Sequence, residues 1–205
     1  MRKGFGIFCI ALGICCLLAS VGLIAYNRWE EENAQAVSHN ILQDVRQHIL
    51  AVAPEESDPE ESIQEEPAAD IPAEMPTVPV NGYDCIGVLS IPVLELELPV
   101  LTDWSYPKLK LAPCHYFGSC YETDFVIAAH NYDSHFGRLS QLQAGDIVIF
   151  TDARGMEHLY EVVLLETLPG NATEEMITSG FDLSLYTCTP GGANRVTVRC
   201  SALPQ

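Results

Sequence analysis

The sequence predicts an all-β fold, an antiparallel barrel of short strands, preceded by an N-terminal apolar helix and an acidic linker. Roughly seven or eight short segments after residue 83 have the alternating or β-branched character of strands and are separated by turn residues. Helical patterns between them are few and brief, so there is no alternation of strands with long helices, which would indicate a parallel sheet. The apolar helix is indicated by residues 5–26, an uncharged run in front of this β-rich region.

The chain divides by composition into three parts, residues 1–29, 30–80 and 81–205. The first part holds the apolar run, whose length of about 22 residues suits a helix that crosses a hydrocarbon core. Arg2 and Lys3 precede this run, so the positive-inside rule places the N-terminus in the cytoplasm and the rest of the chain outside. A cleaved signal peptide is the alternative, although its apolar core would be shorter. We therefore expect a single-pass protein of the cell membrane whose β-rich domain is extracellular.

The second part combines a stalk helix with an acidic linker. Residues 34–52 repeat apolar side chains at helical spacing, which predicts an amphipathic helix. Residues 53–80 alternate proline with glutamate and aspartate and lack apolar periodicity, so we expect an extended tether. The formal net charge of −18 argues against a nucleic-acid partner, because phosphate binding needs clustered lysine and arginine.

The third part contains the predicted strands and a long aromatic loop. The strand-like segments are, in chain order, residues 86–92, 94–100, 125–130, 146–151, 158–167, 183–187 and 196–199. The loop spans residues 102–122 and carries four aromatic side chains, Trp104, Tyr106, Tyr116 and Tyr121. A short turn or helix is expected over residues 136–142, and a brief helix is expected to begin near Asn171, whose side chain can cap it.

The last two strands place a thiol opposite a guanidinium. Residues 183–187 alternate as a strand, and the Pro-Gly-Gly at 190–192 then breaks it, because proline gives no amide to a ladder and glycine tolerates positive φ. The hairpin puts Cys188 at the end of one strand and Arg195 at the start of its partner. This arrangement predicts a nucleophile that faces a fixed cation.

A candidate base lies upstream of the hairpin. Residues 125–129 have the pattern of a buried strand, and His130 and Asn131 follow at its end. An imidazole and a thiol at strand ends are the components of a cysteine–histidine acyl-transfer site. The guanidinium of Arg195 could supply positive charge where an oxyanion develops.

These residues resemble the signature of the sortase family. The run Ser-Leu-Tyr-Thr-Cys188 is similar to the sortase sequence Thr-Leu-x-Thr-Cys. His130, followed by Phe136 and Leu139, looks like the sortase histidine segment, and the order histidine, cysteine, arginine is that of sortases. The resemblance covers residues 83–202, most of the part that follows the linker.

The departures from the family pattern are small. Ser184 stands where sortases usually have threonine, and Ala129 stands where they usually have glycine. The turn after the cysteine is short, which leaves Arg199 open as an alternative to Arg195. The pattern favours Arg195, because it follows the turn directly.

The resemblance implies a closed eight-stranded sortase-type β-barrel and a cysteine transpeptidase. Cys188 would cleave an LPxTG-like sorting signal of a surface protein through a thioacyl intermediate, with His130 as acid and base. Arg195 would contact the oxyanion or the substrate backbone, aided by the backbone amide of Thr189. The acceptor would be the amine of a cell-wall precursor or a pilin lysine, and no cofactor is expected. The neighbouring residues expected to bind the substrate are Asn131, Thr187 and Thr189.

Two features concern the subclass. Pilus-type sortases carry a lid upstream of the barrel, and Asp58-Pro59 resembles it, although Glu60 replaces the usual aromatic residue. No second apolar segment follows Cys200, which leads us to expect a type other than the pilus-polymerising sortases that carry one.

The eight cysteines divide into two groups. Three of them, Cys9, Cys15 and Cys16, lie in the apolar run and act there as small hydrophobic residues. The remaining five are an odd number, which leaves at least one free thiol, and Cys188 is the natural candidate. A bridge between Cys114 and Cys120 is one possible pairing, and a structural Cys188 bridged to Cys200 is the alternative to catalysis.

We predict no metal site. Cys114 and His115 are adjacent, but no second histidine–cysteine pair stands at zinc spacing. His130, Asp133 and His135 form a polar cluster that a flexible turn explains.

Two other classes of function remain open. A papain-like cell-wall peptidase would use the same chemistry with water, although that class places cysteine before histidine in the chain. A non-enzymatic, membrane-tethered β-domain would keep Cys188 as a structural residue, and a thiol titration would distinguish it.

Overall fold

The computed structural model describes residues 2–52 and 75–204. Its helices are α1 (Arg2–Val52), α2 (Tyr106–Leu109) and α3 (Thr173–Ile177). Its strands are β1 (Val78–Val80), β2 (Tyr83–Ile91), β3 (Leu96–Leu101), β4 (Cys114–Phe117), β5 (Phe125–Ala128), β6 (Ile147–Asp152), β7 (Glu157–Pro169), β8 (Leu183–Cys188) and β9 (Asn194–Ala202). Single 3-10 turns follow β2 and precede β6. The predicted acidic linker and the Asp58-Pro59 dipeptide lie outside the described residues.

Eight strands close into a barrel, as predicted. The order around the barrel is β2-β3-β4-β5-β8-β9-β7-β6, and β6 pairs back with β2, while β1 adds to the start of β2. The β3–β4 and β5–β8 pairs are parallel and the other pairs are antiparallel, so the barrel is mixed rather than wholly antiparallel. The mixture arises because β6 and β7 leave β5 and pack elsewhere before β8 returns beside it. Local alternation fixes the face of a side chain but not the partner of its strand.

Alternation along the strands fills the barrel interior. Inward-facing side chains include Leu89, Phe125, Ile127, Phe150, Leu183, Leu185 and Val198, each of which is buried. Closure needs a glycine at position 87, where the ladder between β2 and β3 shifts its register. Gly87 has a φ of +155°, and a Cβ there would overlap the carbonyl oxygen of Thr151 on β6. The missing side chain therefore lets β2 pair with strands on both sides.

The second half of α1 packs on the outside of this barrel. Residues 34–52, predicted as an amphipathic helix, continue without a break from the apolar run. Ile41, Leu42 and Val45 are buried against an outer cluster that includes Leu101 and Cys114. Fully burying an aliphatic side chain contributes about 1.5–3 kcal/mol. The helix is therefore docked on β1, β2 and β3 and does not stand free as a stalk.

The first half of α1 is exposed and apolar. Within the described residues, α1 is the helix that is long and apolar enough to cross a membrane. Its side chains from Ile7 to Ile24 are largely solvent-exposed, as expected for a segment whose natural surroundings are not water. This finding supports a membrane anchor.

Candidate active site

The β8–β9 hairpin sets Cys188 directly across from Arg195. β8 ends at Cys188 and β9 begins one residue before Arg195, and the two residues are register partners. Gly191 and Gly192 form the turn with φ values of 85° and 75°, the left-handed region that glycine adopts without strain. Leu185 and Val198 point into the barrel, so Cys188 and Arg195 both face outward. The predicted nucleophile and cation are therefore neighbours on one surface.

His130 lies at the same end of the barrel as Cys188, just beyond β5, the strand that runs parallel to β8. Ala128 of β5 is the register partner of Tyr186 of β8, and the amide of Ala129 donates to the Tyr186 carbonyl at 3.2 Å. β5 ends at Ala128, so His130 lies two residues beyond the strand that pairs with β8, as Cys188 lies two residues beyond Tyr186. Adjacent strands are spaced about 4.8 Å apart. The predicted histidine, cysteine and arginine thus stand at, or two residues beyond, the same end of three neighbouring strands, β5, β8 and β9, with the strand of the cysteine in the middle.

The surroundings of His130 favour a neutral imidazole. Its ring stacks on that of Tyr132, with centroids 3.9 Å apart and planes 23° from parallel. Burial lowers the pKa of His130, the charge of Lys110 lowers it further, and Glu30 and Glu31 of α1 oppose this shift. The buried Nδ1 atom has no hydrogen-bond partner among the described residues. A neutral imidazole can accept a proton from the thiol, which suits an acid–base role.

Arg195 and Arg199 have different environments, and Arg195 is the one that lies across from the cysteine. Arg195 is partly exposed, and its Nη1 donates to the carbonyls of Gly192 at 2.9 Å and Asn194 at 3.1 Å. Arg199 is 2% exposed, and it donates to the carboxylate of Glu166 at 2.8 Å. Its other donors are taken by Ser184 Oγ and by the backbone carbonyls of Glu175 and Met176. Arg195 is therefore the arginine beside the cysteine, and Arg199 fastens α3 to the hairpin.

The three residues predicted to bind substrate have different surroundings. Thr187 is buried, and its hydroxyl donates to the Ala129 carbonyl at 2.9 Å, so its side chain links β8 to β5. Thr189 lies in the turn, where its amide donates to the Asn194 carbonyl at 2.9 Å. The predicted oxyanion contact by this amide would require that hydrogen bond to break. Asn131 is half-buried beside His130 and remains a predicted substrate contact.

Both disulfide alternatives are wrong. All eight cysteines, each within the described part of the chain, are free thiols, so Cys114 and Cys120 are not bridged. Cys200 is the register partner of Leu183, five residues from Cys188, and this separation of about 16 Å along the strand is too long for a disulfide. Within residues 75–204, Cys188 is the partly exposed cysteine, and the other four are buried.

A row of aromatic side chains runs outward from β8. The sequence pattern did not place these residues near the site. Tyr186, two residues before Cys188 on the same face, meets Tyr116 edge-on at 5.3 Å between ring centroids. Tyr116 contacts Trp104 at 5.6 Å, and Trp104 contacts Tyr106 at 5.9 Å. We call these four residues the aromatic strip. Its outer members are accessible, with Trp104 42% and Tyr106 76% exposed. The available sequence signal was the density of aromatic residues in the 102–122 loop.

The polar cluster of His130, Asp133 and His135 is divided in the structure, because His135 is buried, His130 is half-buried and Asp133 is exposed. His135 is fully buried, and burial, with a contribution from His130, lowers its pKa to about 4. Residues 2–52 and 75–204 contain no group of three or more histidine, cysteine, aspartate or glutamate side chains that could hold a metal ion.

A thiol between an imidazole and a guanidinium, at one end of a closed β-barrel, defines a candidate cysteine acyl-transfer site. Residues 89–203, which make up more than half of the chain, match the family model of the sortase domain. The chain belongs to the sortase family, whose members are membrane-associated cysteine transpeptidases that act in cell-wall anchoring of surface proteins.

Solved sortase structures share the fold. Sortase C1 from Streptococcus agalactiae superposes with a TM-score of 0.54 at 25% identity, over 62% of this chain and 71% of that one. Sortase C from Clostridium perfringens gives a TM-score of 0.53 at 21% identity, over 60% of this chain and 71% of that one. The sortase D5 transpeptidase from Clostridium perfringens gives a TM-score of 0.53 at 19% identity, over 59% of this chain and 80% of that one. No curated protein sequence matches the chain.

Proposed function

We propose that this sortase cleaves an LPxTG-like sorting signal through a thioacyl intermediate on Cys188 and transfers the surface protein to an amine. The acceptor is a cell-wall precursor amine or a pilin lysine. The observation that carries the proposal is the pairing of Cys188 with Arg195 across the hairpin, with His130 just beyond the end of the strand that neighbours β8. The sortase domain match supports the same chemistry.

In the first half-reaction, Cys188 attacks the carbonyl carbon of the scissile peptide bond. The thiol proton passes to His130 as the sulfur–carbon bond forms, and negative charge develops on the carbonyl oxygen. Arg195 donates to this oxyanion, for which its guanidinium turns from the carbonyls of Gly192 and Asn194. When the carbon–nitrogen bond breaks, His130 returns the proton to the departing amine. The acyl group stays on the sulfur.

In the second half-reaction, the acceptor amine attacks the thioacyl carbon. His130 takes a proton from the attacking nitrogen and gives a proton to the Cys188 sulfur as the carbon–sulfur bond breaks. A neutral imidazole is the form that can take this proton, and burial lowers the pKa of His130 in that direction. The new amide leaves, and the enzyme returns to its starting state.

The aromatic strip is our candidate for the surface that receives the sorting signal. It begins two residues from Cys188 and extends away from the catalytic residues. Aromatic rings bind apolar and proline side chains through burial and ring-edge contacts. Trp104 and Tyr106 have free surface for such contacts. The leucine and proline of an LPxTG-like signal have the required chemistry.

The apolar half of α1 is our candidate for a single membrane anchor. Its length and composition suit a membrane span. Arg2 and Lys3 precede it, so the positive-inside rule orients the barrel to the extracellular side. A protease-protection assay on intact cells tests this orientation, and a protected barrel would contradict it.

The decisive experiment uses the full-length chain in detergent with LPxTG-like peptides and an amine acceptor, followed by mass spectrometry. We expect a ligated product that disappears in Cys188→Ala. Cys200→Ala is the matched control, because that thiol is buried at the other end of the hairpin. Hydrolysis without ligation would favour a peptidase. Full ligation by Cys188→Ala would refute the thioacyl mechanism.

A further inference from the structure

Helix α1 is connected to the catalytic end of the barrel through Glu31. Its Oε1 accepts hydrogen bonds from the backbone amide of Asp133 at 2.8 Å and of Ser134 at 3.4 Å. The neighbouring Glu30 forms an ion pair with Lys110, whose charge acts on His130. A carboxylate on a helix more than a hundred residues earlier in the chain thus holds the loop that follows the catalytic histidine.

The loop at 130–137 is anchored at its end by Phe136, which is fully buried in the barrel core, while its earlier backbone has few hydrogen bonds to other elements. Its backbone turns on itself, with the amides of His135 and Gly137 donating to the Tyr132 carbonyl. Several of its buried side-chain atoms have no hydrogen-bond partner within residues 2–52 and 75–204: His130 Nδ1, Tyr132 Oη, Ser134 Oγ and both ring nitrogens of His135. Packing holds His135 and Phe136, but these side chains do not fix the start of the loop through hydrogen bonds, so a charged acceptor from outside has a large share in placing the Asp133–Ser134 backbone. Hydrogen bonds to a carboxylate are about twice as strong as those between neutral groups.

The helix that carries Glu31 is itself fixed to the barrel. Its apolar face is buried on β1, β2 and β3 through Ile41 and Val45. Arg46 pairs with Glu97, and Asp44 accepts from Asn81 Nδ2 at 2.7 Å. Ala34 and Ser38 of the same helix are also buried, so the buried face begins within one turn of Glu31 and continues to Val45. Glu31 is therefore held by a rigid element and can act as a fixed support.

We propose that Glu31 is a positioning residue for the sortase reaction, which holds the Asp133–Ser134 backbone and thereby positions His130 relative to Cys188. The proposal rests on the proposed function, because it gives His130 the acid–base role. It also links catalysis to the docking of α1, since undocking would withdraw the carboxylate from the loop. Glu31 lies about 8 Å along the helix axis from Tyr26, the end of the apolar run. The histidine loop is thus set close to the membrane surface.

The charge of Glu31 has a second effect that can be measured separately. The groups that act on the pKa of His130 are Lys110, which lowers it, and Glu30 and Glu31, which raise it, in addition to burial. His135 packs in the same loop and is neutral above acidic pH. Removal of the Glu31 charge should therefore lower the pKa of His130 further. The acidic limb of a pH–rate profile should move to lower pH.

Two substitutions separate the hydrogen bonds from the charge. Glu31→Gln keeps an oxygen that can accept from both amides and removes the charge. Glu31→Ala removes both. Glu32→Gln and Glu32→Ala are matched controls, because Glu32 is the next residue on α1 and is exposed. All four variants are made in the full-length chain.

The measurements are kcat, KM and the pH profile of kcat/KM for peptide ligation. For Glu31→Ala we expect a fall in kcat on the order of tenfold with little change in KM, since the lost contact orients the base and does not touch the substrate. For Glu31→Gln we expect most of kcat to be kept and the acidic limb to move to lower pH. The Glu32 variants should match the original chain. Equal kcat and pH profiles for Glu31→Ala and Glu32→Ala would overturn the proposal.

A second readout does not depend on the sorting peptide. The rate at which iodoacetamide alkylates Cys188, followed against pH, reports the coupling of its thiol to His130. We expect Glu31→Ala to change this profile and Glu32→Ala to leave it unchanged. If no peptide is turned over but the alkylation profile still depends on Glu31, the proposed substrate fails and the positioning role stands. An alkylation profile that is identical in Glu31→Ala and Glu32→Ala would refute the positioning role. If Glu31→Ala does not fold, Glu31→Met, which keeps the bulk of the side chain and removes the acceptor, provides the same test.

Discussion

The hydroxyl of Thr187 donates a hydrogen bond of 2.9 Å to the carbonyl of Ala129, and each residue immediately precedes a catalytic candidate. Cys188 follows the donor and His130 follows the acceptor. This bond therefore ties the ends of the parallel strands β8 and β5 together at the point where thiol and imidazole must meet. It is buried, so its loss would leave a carbonyl without a partner.

The Thr187 bond predicts an effect on both stability and rate. Thr187→Val keeps the shape and removes the donor, and we expect a loss of about 1–3 kcal/mol in the free energy of unfolding. We also expect kcat to fall, because the strand ends can separate. Thr187→Ser keeps the hydroxyl and should preserve both quantities. Thermal unfolding and ligation kinetics measure them, and a Thr187→Val protein with unchanged kcat would show that the link is dispensable.

Substitution of the two arginines of β9 should have different effects, one on activity and the other on stability. Arg195→Gln is expected to lower kcat/KM by about a hundredfold or more, as for the loss of an oxyanion donor, with the melting temperature nearly unchanged. Arg199→Gln should lower the free energy of unfolding by roughly 3–5 kcal/mol, because Arg199 is buried and paired with Glu166. The pair of measurements is thermal unfolding and peptide ligation. A stable, inactive Arg199→Gln protein would contradict this division of roles.

Thiol reactivity should identify Cys188 among the barrel cysteines. Burial raises the pKa of the other four, Cys85, Cys114, Cys120 and Cys200, to about 12 in each case. A charged maleimide at neutral pH should therefore label one site in residues 75–204 of the folded chain, because thiolate is the reactive form. Peptide mapping by mass spectrometry locates the adduct. Rapid labelling of any of the buried four would contradict the packing described here.

The buried imidazole of His135 predicts a loss of stability in mild acid. Its pKa is lowered from 6.5 to about 4, so the unfolded chain binds the proton more readily than the folded one. The contribution of the neutral ring is complete above pH 6.5 and is lost as the pH falls from 6.5 to 4, by up to about 3 kcal/mol. Urea unfolding between pH 4 and 7 measures this slope. His135→Phe should flatten the slope, and an unchanged slope would assign the acid sensitivity to other groups.

The aromatic strip should govern substrate affinity. Trp104→Ala is expected to raise KM for an LPxTG-like peptide roughly tenfold at constant kcat, since an aromatic contact contributes about 0.5–1.5 kcal/mol beyond its buried area. Phe117→Ala is the matched control, because Phe117 has the same 42% exposure and lies outside the strip. Equal KM values for the two variants would exclude Trp104 from the substrate surface.

Local patterns were enough to predict the hairpin of the site. The Pro-Gly-Gly turn and the alternation on either side of it fix which residues of β8 and β9 face each other, because an antiparallel hairpin sets its register through its own turn. The pairing of Cys188 with Arg195 followed from the sequence for this reason. The strand before His130 was an equally local prediction, although β5 ends at Ala128, two residues before the histidine. The family pattern then supplied the closed barrel.

Contacts between distant segments were decided only by the tertiary structure. Examples are the parallel pairing of β5 with β8, the hydrogen bond from Thr187 to Ala129 and the burial of Arg199. Each depends on residues that are far apart in the chain, and hydrophobic periodicity does not indicate such contacts. The amphipathic pattern of residues 34–52 indicated a helix, but the pattern does not say which surface the apolar face covers. The contact of Glu31 with the His130 loop depends on that docking. Periodicity is a property of the local backbone, whereas the choice of partners depends on how the whole barrel closes.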